Sequence, residues 1–189
     1  KRFYHVSTDE VYGSIDSGSW SEDTPIAPNS PYSASKAGSD LVALSYFRTY
    51  GLPVIVTRCS NNYGRYQFPE KLIPLAISNL IDSKPIPMYG DGLNSRDWLD
   101  VRDHCRAINL IIENGSVGNV YNIGGGRELS NIELARLLLD EFGLDDTLIN
   151  FVEDRKGHDR RYSVSFEKVK KECGYQPKYV FEESLKETI

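Results

Sequence analysis

The run PVIVTR, Pro53 to Arg58, limits the fold of this chain more than any other stretch. Its apolar positions are β-branched and do not alternate with polar ones, the pattern of a strand covered on both faces. Before it, Ser33 to Tyr50 has helical spacing and stops at Gly51, a C-terminal breaker. Before that, Lys1 to Ser7 reads as another strand. Strand, helix, strand at this spacing predicts a right-handed βαβ crossover with parallel strands. The fold class is α/β, and polar chemistry is expected beyond the carboxyl ends of its strands.

Residues 13 to 31, with Pro25, Pro28 and Pro31, carry loop chemistry. The helix from Ser33 to Tyr50 is apolar around most of its circumference, which predicts burial on two fronts, its own sheet and a second subunit. Past Asn62 the elements shorten. The pattern predicts a helix over Glu70–Ile81 with Pro74 in its early turns, a strand over Ile86–Tyr89, a helix over Val101–Asn114 and a strand over Val120–Ile123. Ser130 and Glu133 form an S-x-x-E capping box ahead of an apolar stripe that ends before Gly143. A strand at Ile149–Val152 and short helices near Phe166–Cys173 and Phe181–Ile189 complete the chain. Gly124, Gly125 and Gly126 follow a strand, but their spacing is neither G-x-G-x-x-G nor a P-loop. They are read as a tight strand-to-helix turn.

Composition removes several functions. A net charge of −5 over 189 residues argues against a nucleic-acid surface. No apolar run reaches a membrane span and no signal peptide is visible. Cys59, Cys105 and Cys173 are odd in number and far apart, and His5, His104 and His158 are equally scattered. No metal site is expected, and a reduced, cytoplasmic protein is.

The chemistry gathers at strand ends. Thr8, Asp9 and Glu10 stand where the first strand leaves its sheet. Tyr32 and Lys36, four apart, share one face of the first helix. A lysine charge there is expected to draw the phenol below its ordinary pKa of about 10, as a base for a hydroxyl proton. The second strand runs into Asn61 and Asn62 at the same rim. A lone Y-x-x-x-K would be read as chance on a surface helix; three polar clusters on one edge favour a site. Adjacency of Asp9 and Glu10 predicts that burial and like charge split the two carboxyl pKa values.

STDEVYG, SPYSASKA, CSNNYG, FPEKL, YGDGLNSRDW and GHD, in that order and over nearly the whole chain, resemble the nucleotide-sugar 4,6-dehydratases of the extended short-chain dehydrogenase/reductase group. The resemblance implies a Rossmann-like parallel sheet, of which this chain holds the second part, followed by a smaller mixed α/β substrate domain. Residues 1–62 would be the remaining portion of the NAD-binding unit. Residues 63–189 would mainly bind substrate, with some elements returning to the first sheet. The implied reaction oxidises the sugar at C4, removes water across C5 and C6, and returns the hydride to C6, with NAD as cofactor and a nucleoside-diphosphate sugar, dTDP-glucose, as substrate. By the same resemblance Glu10 is the C5 base, Asp9 the acid for the C6 hydroxyl, Thr8 a hydrogen-bond partner of the C4 oxygen and Tyr32 the C4 base. Lys36 tunes Tyr32 and binds the nicotinamide ribose with it, and Asn62 touches the cofactor. Substrate contacts are implied for Asn61, Lys71, Leu72, Pro87, Tyr89, Arg96, Asn122, Arg155 and His158. Arg96, Arg155 and His158 fit the phosphates, since arginine grips phosphate oxygens with paired donors. Arg102, Arg106, Arg160 and Arg161 are left as ordinary surface charges. A homodimer through the Ser33–Tyr50 helix is implied as well.

Two positions depart from the resemblance: Lys156 and Arg65 stand where proline is frequent. Both add positive charge near the expected phosphates. The glycine-rich cofactor turn is not in this sequence, so the chain is read as a carboxyl-terminal portion of a dehydratase, and alone it is expected neither to bind NAD tightly nor to turn over. The alternatives are UDP-glucose as substrate, another NAD-dependent nucleotide-sugar enzyme such as an epimerase or decarboxylase, and a non-catalytic nucleotide-sugar-binding fragment. Adjacent carboxylates speak against the epimerase and decarboxylase.

Overall fold

The computed structural model describes residues 1–189. In chain order the elements are β1 (Phe3–Thr8), a 3₁₀ turn (Asp9–Tyr12), α1 (Pro31–Tyr50), β2 (Val54–Cys59), β3 (Asn61–Tyr63), α2 (Leu72–Ile81), β4 (Ile86–Tyr89) and β5 (Ser95–Asp100). They continue with α3 (Val101–Asn114), β6 (Val120–Ile123), β7 (Glu128–Ser130), α4 (Asn131–Phe142), β8 (Ile149–Val152), α5 (Glu167–Cys173) and α6 (Phe181–Thr188). No helix is long and apolar enough to cross a membrane.

The crossover predicted from PVIVTR is present. β1 and β2 pair in parallel from Phe3 opposite Val54 to Thr8 opposite Cys59, and β6 adds in parallel on the other side of β2. All six residues of the central strand β2 are buried. This register puts Asp9 and Ser60 side by side as the first residues beyond the sheet, which is how the rim of the site is made.

α1 begins at Pro31, two residues before its apolar spacing starts, because Ser30 caps it. The Ser30 hydroxyl accepts from the Ser33 amide while the Ser33 hydroxyl accepts from the Ser30 amide, and Pro31 needs no donor at the first helical position. Gly51, at φ +68°, supplies the left-handed residue that ends it. The helix is buried on one front, through Ala37, Asp40 and Ala43. Leu41, Val42, Tyr46 and Tyr50 on the outer side are exposed, so the second expected front is uncovered in this chain.

The remaining strands form a mixed sheet, β3-β5-β7, and a parallel pair, β4-β8. β3, β5 and β7 were not expected from periodicity. The largest apolar core lies here, where Ile73, Leu80, Ile86, Met88, Leu134, Leu138, Phe181 and Leu185 pack together. At roughly 1.5–3 kcal/mol for each large side chain fully buried, this core dominates the stability of the second half. The glycine run leads into β7 rather than directly into a helix. Gly125 passes so close to the Trp98 carbonyl that an added Cβ would lie 1.9 Å from its oxygen.

Candidate active site

Thr8 explains locally why polar residues end β1. Its hydroxyl accepts from the Glu10 amide (3.3 Å) and lies 3.3 Å from Asp9 Oδ1, so it caps the 3₁₀ turn that carries both carboxylates. Val11 and Tyr12, both buried, anchor the far end of that turn. Asp9 is only 3% exposed, and its Oδ2 has no protein partner. Glu10 is half-buried.

The two carboxyls differ as their surroundings require. Burial, then the charges of Glu10 and Asp97, push the Asp9 pKa up to about 8, so at neutral pH most of it holds its proton. Glu10 is raised too, chiefly by burial, but Arg96, Lys71 and Arg155 pull it back toward the ionised form. That opposition also locates the cations, since three residues from the second half act on the carboxylate at the end of β1. Tyr32 is 56% exposed at the start of α1 and feels the same two acids.

One expectation is reversed. Lys36 does not draw the Tyr32 phenol down; burial, followed by Glu10, Cys59 and Asp9, raises it. The Lys36 ammonium instead donates to the Val6 carbonyl at 2.7 Å, on the edge of β1. An ammonium has three donors, so two remain at this edge beside an exposed phenol. This pair fits the hydroxyls of a nicotinamide ribose.

Arg96 is buried, and three of its N–H groups go to the carbonyls of Ser95, Asp159 and Arg160, with its guanidinium 4.4 Å above the Tyr162 ring. Arg155 sits 4.8 Å over the Tyr89 ring, and its Nη2 is 3.3 Å from His158 Nε2, whose other nitrogen is 2.7 Å from Asp154. Lys71 is exposed at the start of α2. Leu72 is partly buried against the large core. Asn61 and Pro87 are half-buried on β3 and β4, and neither side chain bonds to another rim residue.

Asn122 lies on the inner side of the rim. It has no exposed surface: its Oδ1 accepts from the Tyr12 hydroxyl (2.9 Å), its Nδ2 donates to the Trp20 carbonyl (3.2 Å), and its amide is held by Glu22. Through these bonds it supports the turn from inside. Asn62 is likewise committed, with Nδ2 to the Ser60 carbonyl and Oδ1 2.8 Å from His104 Nδ1. Burial drives the His104 pKa down to about 4, so the ring is neutral and Nδ1–H is the donor. The four arginines read as surface charges all hold acids: Arg102 with Asp100 and Glu187, Arg106 with Asp103, Arg160 with Asp91, and Arg161 with both oxygens of Glu128.

Sequence reasoning missed Asp97 and His104. Asp97 is buried and accepts from the amides of Gly125 and Arg127, both at 2.8 Å, tying the glycine turn to the rim. The glycines beside a neighbouring strand were the available signal, but only the three-dimensional pairing names the acid.

Proteins of known kind share this sequence and arrangement. Over 188 residues the chain is 58% identical to the dTDP-glucose 4,6-dehydratase of Actinoplanes sp. strain SE50/110, covering all of this chain and 59% of that protein. It is 50% identical to that of Neisseria meningitidis serogroup B, covering 57% of it. The chain thus spans a little over half the length of these relatives. The solved structure of DesIV, the dTDP-glucose 4,6-dehydratase of Streptomyces venezuelae with NAD bound, superposes with a TM-score of 0.98 at 58% identity, over 99% of this chain and 58% of that one. A UDP-glucuronic acid 4-epimerase of Bacillus cereus superposes at 0.94 with 27% identity, over 99% and 60% of the two chains. The sequence profile of the GDP-mannose 4,6 dehydratase family matches residues 1–188, and with that match and this strand-end site the chain belongs to that family.

Proposed function

We propose that the whole protein of which this chain forms a part converts dTDP-glucose to its 4-keto-6-deoxy product. The observation that carries this reading is Asp9, buried, unpartnered at Oδ2 and holding its proton beside Glu10. A dehydration needs a base at C5 and an acid for the C6 hydroxyl; the proton on Asp9 suits the acid, and Glu10, whose carboxylate Arg96, Lys71 and Arg155 favour, suits the base. NAD, which Tyr32, Lys36 and Asn62 would hold, would supply the hydride acceptor for C4 and the hydride donor for C6. Tyr32 receives the C4 hydroxyl proton, and Lys36 holds the ribose beside it. Thr8 donates to the C4 oxygen as it becomes a carbonyl, which makes the C5 proton acidic. Glu10 then removes that proton, Asp9 gives its own to the hydroxyl, which leaves as water, and Glu10 returns its proton to C5 when hydride reaches C6. Burial and the neighbouring acids raise the Tyr32 pKa, and Lys36, one turn along the same face of α1, is the cation placed to favour its ionised form once the ribose is held.

Arg96, Arg155 and His158 face the diphosphate, with Lys71, Leu72, Pro87, Tyr89, Asn61 and Asn122 around the nucleotide and sugar. Asn62, aligned by His104, faces the cofactor. Residues 1–62 belong with the NAD-binding unit and residues 63–189 mainly with the substrate, β6 returning to the first sheet. The protein works in the cytoplasm as a homodimer that covers Leu41, Val42, Tyr46 and Tyr50 of α1. The names and bound NAD of the similar proteins support the nucleotide and the cofactor.

The whole protein, given NAD and dTDP-glucose or UDP-glucose, tests this. Alkali-developed absorbance of the 4-keto-6-deoxy sugar is expected from dTDP-glucose and lost in Asp9→Asn and Glu10→Gln. No product from either sugar would defeat the reading, and product from UDP-glucose alone would change the nucleotide.

A further inference from the structure

Asp40 lies one turn beyond Lys36 and two beyond Tyr32, so the three share a face of α1. Unlike them it has no contact with water. Its Oδ2 accepts from Arg58 Nε at 2.9 Å, and its Oδ1 lies 3.2 Å from His5 Nε2, close enough for an ion pair but off the line of a hydrogen bond. Arg58 belongs to β2 and is almost fully buried. The centre of its guanidinium stands 4.7 Å from the centroid of the Tyr12 ring, and the Tyr12 hydroxyl continues to Asn122. Tyr12 closes the turn that starts with Asp9 and Glu10.

One guanidinium therefore touches both halves of the site. On one side it holds the helix that presents Tyr32 and Lys36; on the other it holds the ring that ends the carboxylate turn. Lys36 adds a second fastener of the same helix to β1, at Val6. A buried ion pair is weak support for stability, because an apolar pair of similar volume does as well or better. Its strict geometry is what an apolar pair cannot reproduce.

We infer that Arg58 is a positioning residue: through Asp40 and Tyr12 it sets the Asp9–Glu10 turn against the helix carrying Tyr32 and Lys36. The inference rests on the dehydratase reading for its kinetic consequence and on the fold alone for its structural one.

The test uses the whole protein, bearing Arg58→Met together with Asp40→Leu so that no unpaired charge is left inside. This double variant should melt at or above the parent temperature. With dTDP-glucose its kcat should fall about 10- to 100-fold while KM stays within about twofold, the size of effect that misplacement of reacting groups by about an ångström produces. Amide hydrogen exchange should quicken in residues 8–13 and 31–36 together. A kcat within twofold of the parent, or quickened exchange in only one of the two segments, overturns the inference. If the parent itself makes no product, the dehydratase reading has failed, and the paired rise in exchange still decides for or against the link. Should the double variant not fold, Arg58→Lys keeps the charge opposite Asp40 but not the guanidinium over the Tyr12 ring, and the same two exchange segments must respond together.

Discussion

Residues 1–60 and residues 91–187 both carry acid–base pairs, but the pairs sit in different solvents. In the first region Asp40 and Arg58 meet with side chains 0% and 6% exposed, and Asp9 is buried with no cation bonded to it. In the second, Arg127–Glu182, Arg136–Asp146 and Arg160–Asp91 lie with both partners about half in water. Asp100 and Asp103 are exceptions there, both buried: Asp100 holds Arg102, and Asp103 holds Arg106 as well as the amides of Lys178 and Tyr179. The second region sets its buried charges, Arg96, Asp97, Asp100, Asp103 and Asp159 among them, beside a large apolar core. The first has only small apolar clusters on the helix side of its sheet, Val11, Tyr12 and Ala37 among them, and spends buried space on ionisable groups. Regions that carry chemistry often depart from the packing rules that the rest of a fold obeys.

The sharpest way to break this contrast is to unbalance the buried pair. Asp40→Leu alone strands the Arg58 guanidinium, and about 3–5 kcal/mol of stability should be lost in urea unfolding of the whole protein. A loss below about 1 kcal/mol would mean that water reaches Arg58 and the pair is not buried in solution.

Asp9 gives the next largest effect, in the opposite direction. Its folded pKa, about 8, lies above its ordinary 3.8. Between these values the folded state keeps a proton that the unfolded state has released, so stability falls as pH rises from about 4 to about 8 and then levels. Asp9→Asn carries no such proton. Relative to the parent it should be near neutral at the acid end and more stable by on the order of a few kcal/mol at pH 8. Unfolding curves at the two pH values measure this, and a gain that does not grow with pH would place Asp9 in a wetter environment.

What could be read from sequence divides along the same line. PVIVTR announced a doubly covered parallel strand, and Ser130 with Glu133 announced a helix start, because each signal is local and its partners are a few residues away. β5, the segment SRDWLD, escaped because Arg96, Asp97 and Asp100 are buried charges, the first two held by the distant Asp159 carbonyl and Gly125 amide, so no apolar period marks the strand. Spacing put Tyr32 and Lys36 on one face, yet it could not show that the Val6 carbonyl would take the ammonium. Asp40 continues that same spacing and was passed over, since its meaning depends on Arg58 across the sheet. The carboxylate pair at the end of β1 was legible; the bonds of Asn122 to Tyr12, Trp20 and Glu22 were not, because their partners are far away in sequence.

The second region offers smaller effects, and they separate its two kinds of polar contact. Ser130→Ala removes the oxygen that accepts from the Glu133 amide and leaves the Glu133 carboxylate its backbone bond alone. A cap loss of about 1 kcal/mol is expected, read as a lowered midpoint of urea unfolding. No change would mean that the large core fixes the start of α4 without its cap.

Arg136→Ala should do the least. The Arg136 guanidinium makes two bonds to one Asp146 oxygen, at 2.9 and 2.8 Å, a geometry that would be strong if dry. Both side chains are more than half exposed, so water solvates each ion whether or not the other is present, and salt screens what attraction remains. The unfolding midpoint should therefore stay within experimental error of the parent, at low salt and at high. A clear drop at low salt that vanishes at high salt would show the pair tying α4 to the 3₁₀ turn at Asp146–Leu148. The second region would then depend on charge in the way that the first does, with only the depth of burial separating them.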